Sequence, residues 1–252
     1  MKTMLLSMIG SLIFITGTAQ ESSSGKIYYE ETSKLEIKLD GESSQFAGML
    51  PKERKSRKIL YFSPESSLYQ LNNEQREEET VSTEAEGATV MVKMIQPDDK
   101  FYTDLESKKT IEQRDFMSRI FLIENSIDAS GWKITGNQKT ILGYPCQEAV
   151  QKKDSIVTVA WFAPSLPVTS GPGKYLGLPG IVLAVDVDHG KRTIIATAIE
   201  PGPVGKDLLA KPKGGKKVTP EEYDQIVEEK RKEMEQQYSG SGGGGVVIKI
   251  TQ

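Results

Sequence analysis

The sequence is poor in the two side chains that catalytic and metal sites use most often. Of its 252 residues, one is a histidine, His189, and one is a cysteine, Cys146. A single cysteine excludes an intramolecular disulfide bond, so the fold must depend on the burial of apolar side chains. A nucleophilic triad needs a base held beside its nucleophile, and nothing in the sequence places a serine beside His189. We therefore identify no catalytic residues, no metal ligands and no cofactor, and a non-catalytic protein is the preferred interpretation.

The residues that come nearest to a site of this kind lie around one turn. Asp186 and Asp188 alternate along a segment that ends at His189. Alternating strand residues share a face and would suit a weak metal site, but a solvated turn is the favoured interpretation. Cys146 follows a Gly-Tyr-Pro sequence and is expected to be a buried, inert thiol.

Long apolar runs are absent after the first twenty residues. At the N-terminus, Lys2 supplies positive charge, residues 4–15 are mostly apolar, and residues 17–19 are small enough for a signal peptidase. An apolar stretch of about twelve residues is too short to span a bilayer, which needs roughly twenty. This pattern predicts a signal peptide at residues 1–19 in preference to a core helix. We expect an exported protein, periplasmic or associated with the outer membrane, with no transmembrane segment in the mature chain.

A surplus of basic residues is also lacking. The chain has 32 basic and 35 acidic residues, which gives a net charge of −3. General nucleic-acid binding needs surplus positive charge, so nucleic acid is not an expected partner. Residues 51–58 are nevertheless mostly basic, and we interpret them as a solvated loop or strand edge in preference to an anion site. The acidic residues 72–88 contain almost no apolar side chain and predict a solvated hairpin loop or mobile excursion.

Short apolar segments dominate the rest of the chain and predict β-strands. Hairpin turns are predicted at Gly136-Asn137 and at Lys153-Asp154. Residues 181–187 are continuously apolar, which predicts a strand covered on both faces, and residues 188–191 turn the chain back. Residues 109–123 stay ambiguous between strand and helix. Further strands are predicted in residues 26–38, 58–71 (two strands around Ser63-Pro64), 89–94, 101–104 and 192–199.

One helix is clearly indicated, at residues 219–237. Thr219 can cap it, Pro220 suits its first turn, and Glu222 completes a capping box with Thr219. The few apolar residues in this segment predict a surface helix. A Gly-rich linker at residues 239–245 and a last edge strand at 246–250 follow. Residues 20–252 are thus expected to form a single β-rich domain, mainly β in the α+β sense, with a curved antiparallel sheet or partial barrel.

A glycine- and proline-rich segment stands out at residues 163–183, which read APSLPVTSGPGKYLGLPGIVL. Pro172-Gly173 and Pro179-Gly180 each suit a type II turn, because proline fixes φ and glycine accepts positive φ. Such turns could simply shape the chain, or they could present a loop to a partner. The candidate binding residues of that loop are Lys174, Tyr175, Leu176, Gly177, Leu178, Pro179 and Gly180.

This segment resembles the GLPGLI family of exported Bacteroidota proteins, with Gly177-Leu178-Pro179-Gly180-Ile181 in place of the family's name motif. The flanking residues agree in order and spacing from Trp132 to Leu183, and Ile181-Val182 is a conservative departure. The resemblance implies an exported protein without an established biochemical activity. The strand pattern is also similar to lipoprotein carriers of the LolA type, which is a fold-level analogy only.

Two functional hypotheses from different classes follow. The first is a non-catalytic accessory or binding module that docks on an outer-membrane transporter or another envelope protein involved in transport or assembly. The alternative is a periplasmic carrier that holds a small apolar ligand or a peptide in the cavity of a curved sheet. An apolar cavity would favour the carrier, whereas a filled core with exposed aromatic loops would favour docking. An enzyme of unrecognised type is the third alternative.

The predicted signal peptide can be tested by intact mass. We expect the exported form, purified from the cell envelope, to lack residues 1–19 and to begin at Gln20. A mass that includes these residues would contradict the prediction, and a variant with charged residues in the 4–15 stretch should remain unprocessed.

Overall fold

The described residues are mostly β-sheet, with one α-helix towards the C-terminus. The structure is a computed structural model that describes residues 23–38, 51–75, 79–85, 88–94, 96–129, 131–240 and 247–250. The predicted signal peptide and linker residues 241–245 lie outside the described residues. The elements are β1 (Gly25–Lys38), β2 (Glu53–Phe62), β3 (Ser66–Leu71), β4 (Glu79–Ala85), β5 (Ala88–Met94), β6 (Lys100–Asp104), β7 (Lys109–Phe116), β8 (Arg119–Ser126), β9 (Lys133–Ile141), β10 (Tyr144–Lys153), β11 (Ile156–Ala163), β12 (Ile181–Val187), β13 (Arg192–Pro201), β14 (Lys216–Val218), α1 (Pro220–Gly240) and β15 (Val247–Ile250).

Twelve strands follow one another across a long open sheet in the order β14-β8-β7-β6-β3-β2-β1-β13-β12-β11-β10-β9. All neighbours are antiparallel except β14 and β8, and β15 adds to the far end of β1. The first strand therefore lies between two meanders, one on each side. Register irregularities in β1, β10 and β11 allow the sheet to curve. The predicted curved antiparallel sheet is confirmed.

One face of the sheet carries the main core, and we call it the inner face. Its register places together the buried side chains Ile27, Leu60, Phe62, Tyr69 and Ile194. Strand β12 contributes five successive buried residues, because its outward side chains are covered as well. The continuous apolar run of this strand is therefore explained by burial of both faces, as predicted.

The segment of residues 164–180, between β11 and β12, closes the core from the inner side. We call it the motif segment. Its side chains Leu166, Val168, Tyr175 and Leu178 are buried in the main core cluster. The Ser170 hydroxyl donates to Ser67 Oγ of β3 at 2.7 Å, which ties the segment to the distant half of the sheet.

The turns of the motif segment only partly follow the prediction. Gly173 has φ 65°, which fits the third position of a type II turn. Gly180 has φ 145°, well outside the type II range, and its backbone N–H donates to the Leu178 carbonyl at 2.8 Å. The second turn is therefore a tighter three-residue turn.

Helix α1 begins as the sequence predicts. The Thr219 backbone N–H donates to Glu222 Oε2 at 2.9 Å, and the Glu222 backbone N–H donates to Thr219 Oγ1 at 3.2 Å. These two bonds form the reciprocal capping box. Tyr223 packs edge-on against Phe116 and Phe121 and docks the helix on a small second core. No helix among the described residues has the length and apolar character needed to cross a membrane.

The hairpin predicted at Gly136-Asn137 is wrong. Residues 133–141 form one continuous strand, and the chain turns at Leu142 and Gly143, both with positive φ. Gly136 instead occupies an irregularity opposite β10, where Thr135 Oγ1 and Asn137 Nδ2 both donate to Glu148 Oε1. The sequence correctly predicted a positive φ at Gly136, but this conformation belongs to a β-bulge and not to a turn.

Three other segments differ from their predictions or resolve them. Part of the acidic stretch 72–88 is a strand, β4, which pairs with β5 in a hairpin separate from the main sheet. Cross-strand backbone hydrogen bonds form there in spite of the unfavourable composition.

The ambiguous residues 109–123 belong to the β7–β8 hairpin, since Met117 and Ser118 both take the positive φ of a tight turn. The basic residues 53–58 lie in β2, well inside the sheet and not at its edge.

Two glycines with positive φ provide a matched test of the packing under the motif segment. A Cβ at Gly180 would lie 2.2 Å from the Ala163 carbonyl oxygen, whereas a Cβ at Gly136 would meet nothing within 4 Å. We expect Gly136→Ala to lower the free energy of unfolding by about 1 kcal/mol, the cost of the backbone conformation. Gly180→Ala should cost at least about 3 kcal/mol, because a backbone clash is added. Urea denaturation of both variants measures this difference, and equal losses would contradict the packing described.

Candidate functional site

A cleft of about 340 Å³ opens on the inner face beside the core. Its floor comes from β1, β2, β7 and β13, one wall from residues 172–175 of the motif segment, and another from the first turn of α1. Its lining is rich in basic and acidic side chains. The basic ones are Arg54, Lys58, Lys100, Arg114, Lys174 and Arg192, and the acidic ones are Glu31, Asp99, Glu112 and Asp224.

The cleft lies where the inner-face side chains of the central strands change from apolar to polar. On the inner face of β1, apolar residues as far as Tyr29 are followed by Glu31 and Ser33. Ser33 lies opposite Arg54 on one side and Arg192 on the other. Because alternate residues of a strand share a face, three neighbouring strands turn polar at the same level. The core ends there and the cleft begins.

Arg192 is the central cation of the cleft. Its Nη2 lies 2.9 Å from Glu31 Oε1, and both side chains are largely buried. Burial alone would lower the pKa of Arg192, but Glu31 and the phenols of Tyr175 and Tyr69 raise it above its ordinary value. Tyr69 also donates a long hydrogen bond of 3.5 Å to Glu31. Arg192 therefore stays charged, and its buried Nε has no acceptor among the described residues.

A second arginine lies on the β7 side of the cleft. Arg114 Nη1 is 3.0 Å from Asp99 Oδ2, and Arg114 Nη2 pairs with Glu112. Asp99 also accepts a backbone hydrogen bond from Asp115 at 3.0 Å. Both carboxylates beside this guanidinium are thus engaged, although its Nε is another buried donor without an acceptor in the described chain.

Two lysines of the cleft differ from these arginines, because neither forms an ion pair within the part of the chain that the structure describes. Desolvation is the main cause that lowers the pKa of Lys58, and Arg192 and Arg54 lower it further against the opposing effect of Glu31 and Asp99. Lys174 lies at the rim and keeps an exposed side chain. Its pKa is also lowered, first by desolvation from the cleft walls and then by Arg192.

The predicted binding residues of the motif segment divide between core and cleft. Tyr175, Leu176, Leu178 and Gly180 are buried, Gly177 is half-buried, and only Lys174 and Pro179 are exposed. Trp132 Nε1 donates to the Leu176 carbonyl at 2.9 Å, which fixes the segment from its outer end. Of the predicted set, Lys174 and Tyr175 line the cleft.

The residues considered for catalysis or metal binding lie elsewhere. Cys146 is buried, and burial raises the pKa of its thiol. Asp186 Oδ1 accepts the backbone N–H of Gly190 at 2.8 Å, and Asp188 pairs with Lys191 at 2.7 Å. These carboxylates organise the β12–β13 turn that contains His189. The lining of the cleft includes neither the histidine nor the cysteine.

Residues 148–184 match the family model described as a protein of unknown function (Porph_ging). The matched stretch runs from β10 through the motif segment to β12, so it contains one wall of the cleft. It is consistent with a protein of a Bacteroidota family. No curated protein matches the chain.

Among solved structures, the chain is similar to PNGF-II in two crystal forms. The P21 form has 15% sequence identity and a TM-score of 0.55, and the C2 form has 16% and 0.54. Each likeness covers 81% of this chain but only 33% and 32% of PNGF-II, so the chain spans about a third of that protein's length. An uncharacterized conserved protein from Thermus thermophilus matches at 6% identity, with a TM-score of 0.38 and coverage of 79% of this chain and 93% of that one. At these identities the likeness to PNGF-II shows the fold alone.

Sequence reasoning missed the cleft, although part of its signal was readable. The composition of the basic run at residues 51–58 favours a solvated loop or edge. Its even-numbered members Arg54 and Lys58 line the cleft, while Lys55 points the other way and is exposed. Alternate residues of a strand face opposite sides of a sheet. If the position of the run inside the sheet had been known, this alternation would have divided its residues correctly between the cleft and the opposite face.

The desolvation of Lys58 predicts that this residue lowers the stability of the empty protein. Because burial disfavours its charged form, we expect Lys58→Met to raise the free energy of unfolding at neutral pH. A lysine whose pKa is lowered by folding binds fewer protons in the folded than in the unfolded chain. Its destabilising effect on the folded state is therefore largest at pH values below the lowered pKa. The gain should therefore shrink as the pH rises through the lowered pKa.

Lys55→Met is the matched control on the same strand. Lys55 is exposed and pairs with Glu30 at 3.5 Å, so its replacement should change stability by no more than about 0.5 kcal/mol. Urea denaturation at several pH values compares the two variants. A loss of stability in Lys58→Met, or a change that does not differ from the control, would show that Lys58 is not desolvated as described.

Proposed function

We propose that the protein is an exported, non-catalytic binding module of the cell envelope, of the GLPGLI type, and that the charged cleft holds its ligand. The observation that carries this proposal is the cleft itself. Three separate parts of the chain build it, and it contains two lysines without an ion-pair partner among the described residues, the desolvated Lys58 and the exposed Lys174 at the rim. A desolvated lysine lowers stability, and such groups are found most often at functional sites.

The chemistry of the lining favours binding over catalysis. General acid–base work at neutral pH most often uses histidine, which the lining lacks. The carboxylates Glu31 and Glu112 are engaged by Arg192 and Arg114. The hydroxyls of Ser33 and Ser56 have no histidine beside them in the lining that could activate either as a nucleophile.

Export is supported by the N-terminal pattern, and a role beside outer-membrane transport systems is what the resemblance over residues 132–183 implies. In this proposal the mature protein works in the periplasm or at the outer membrane, as an accessory to a transport or assembly system. Lys174 is the exposed residue of the motif segment that also lines the cleft, so an envelope partner would contact both the segment and the cleft through it.

The alternative of an apolar-ligand carrier is supported by a different place on the molecule. On the outer face, an open depression of about 330 Å³ is lined by Val157, Val159, Trp161 and Ile195. Lys139 Nζ lies 4.1 Å from the centre of the Trp161 ring and covers part of it. An apolar ligand would be expected here and not in the charged cleft.

A blocked cleft tests the proposal. Ser56 lies on the floor, and Ser56→Trp should fill it, whereas Lys55→Trp alters the opposite face of the same strand. The tagged mature protein is purified under mild conditions from its native cell envelope and measured by native mass spectrometry. We expect it to have a bound ligand of defined mass or a stoichiometric envelope protein. Ser56→Trp should lose it, and Lys55→Trp should keep it.

The other outcomes are equally informative. A lone, empty wild-type chain would contradict the proposal. If the bound ligand or protein is retained by Ser56→Trp but lost from Trp161→Ala, the binding site is the outer-face depression, and the carrier hypothesis is favoured. Folding of each variant is checked by its thermal transition, so that loss of cargo is not confused with loss of structure.

A further inference from the structure

Three cations converge on the cleft from segments that are far apart in the chain. Lys58 comes from β2, Lys174 from the motif segment and Arg192 from β13. All three side chains line the same cleft, where desolvation and then the charge of Arg192 lower the pKa of both lysines. An arrangement of this kind gathers like charges into one partly desolvated space, which is unfavourable unless something neutralises them.

The charged side chains of the cleft are only partly paired with one another. Six basic and four acidic side chains among the described residues line it, and one of the basic ones, Lys100, pairs with Asp98 outside the lining at 3.6 Å. The acidic groups nearest the arginines are already engaged, since Glu31 pairs with Arg192 and Asp99 pairs with Arg114. Lys58 and Lys174, in contrast, form no ion pair with any residue that the structure describes, so they are the two cleft lysines that a bound anion could pair with.

Hydrogen-bond donors in the cleft are unsatisfied as well. The Nε atoms of Arg192 and Arg114 are buried, and neither has an acceptor among the described residues. A buried donor without an acceptor is unfavourable, because it has lost its hydrogen bonds to water and gained none in the protein. Arginine and lysine together donate to an oxyanion from several directions, and these charge-assisted hydrogen bonds are roughly twice as strong as neutral ones.

We propose that the cleft binds its ligand through a doubly negative oxyanion of the phosphate-monoester class, held by Lys58, Lys174 and Arg192. The inference rests on the proposed function and specifies its ligand chemistry. A phosphate monoester carries about −1.5 to −2 charges at pH 7 and three acceptor oxygens, which suits two lysines without an ion pair and the several donors. A single carboxylate would neutralise only one of the two lysines. Ser33 and Ser56 supply hydroxyls on the same floor.

The first experiment measures binding of inorganic phosphate to the mature wild-type protein by calorimetry at about pH 7.5 and low ionic strength, with acetate as the singly charged comparison. We expect phosphate to bind at least about tenfold more tightly than acetate, and to weaken as salt is added. Lys58→Met and Lys174→Met should each weaken phosphate binding about tenfold or more, the loss of one charge-assisted contact. Lys58→Arg should restore most of it, and Lys55→Met should leave it unchanged.

Vesicles distinguish a lipid headgroup from a free phosphate compound. Binding to vesicles that contain phosphatidic acid, and not to pure phosphatidylcholine vesicles, would assign the oxyanion to a lipid if Lys58→Met and Lys174→Met abolish it. Binding of inorganic phosphate without vesicle binding would assign it to a soluble phosphorylated ligand. Both results support the proposed chemistry.

The contrary results are also defined. Absence of phosphate binding, acetate binding of equal strength, or equal binding by the lysine variants and Lys55→Met would overturn the inference. If phosphate fails while wild-type protein from the envelope still carries cargo that Ser56→Trp loses, the cleft remains the binding site and only the ligand chemistry is wrong. If the envelope protein is empty as well, the proposed function fails with it.

Discussion

The inner face of β1 changes from apolar to charged at Tyr29, and the rest of the molecule is arranged around that change. Below this level Ile27 packs in the core, and above it Glu31 pairs with Arg192 in the cleft. Tyr29 belongs to both regions. Its ring packs edge-on against Tyr69, and its hydroxyl donates to the Val182 carbonyl at 2.8 Å. A phenol suits this boundary, because it buries a large apolar body and still satisfies one polar group.

The motif segment has two roles that depend on the same glycines. At Gly171 a Cβ would lie 2.4 Å from the Tyr175 carbonyl oxygen, and at Gly177 it would lie 2.7 Å from Ala129 Cα. These close approaches let the segment lie flat over the core, so that Tyr175 is buried and Lys174 reaches the cleft. The glycines and prolines of the segment therefore shape the backbone. Lys174 is the residue through which the segment brings a charge to the cleft.

Much of the fold was readable from local patterns, whereas the candidate site was not. The capping box at Thr219 and Glu222 and the apolar run of β12 depend on neighbouring residues, and both were predicted. Gly136 shows the limit of such reasoning, since positive φ serves a turn and a bulge equally well. The cleft depends on pairings between strands far apart in sequence, such as Ser33 with Arg54 and Arg192. No local pattern specifies which charged residues will share one space after such pairing.

The central position of β1 also has a consequence for how the chain reaches this structure. The backbone carbonyl of Tyr28 on β1 accepts a hydrogen bond from Thr197 on β13, 169 residues later in the chain. Strand pairing over such a separation is slow, because a long loop must close before the contacts can stabilise it. One side of β1 thus stays an open edge until β13 has paired with it, and an open edge is a template for pairing with another chain. The interval before β13 pairs is therefore when this protein is most exposed to aggregation.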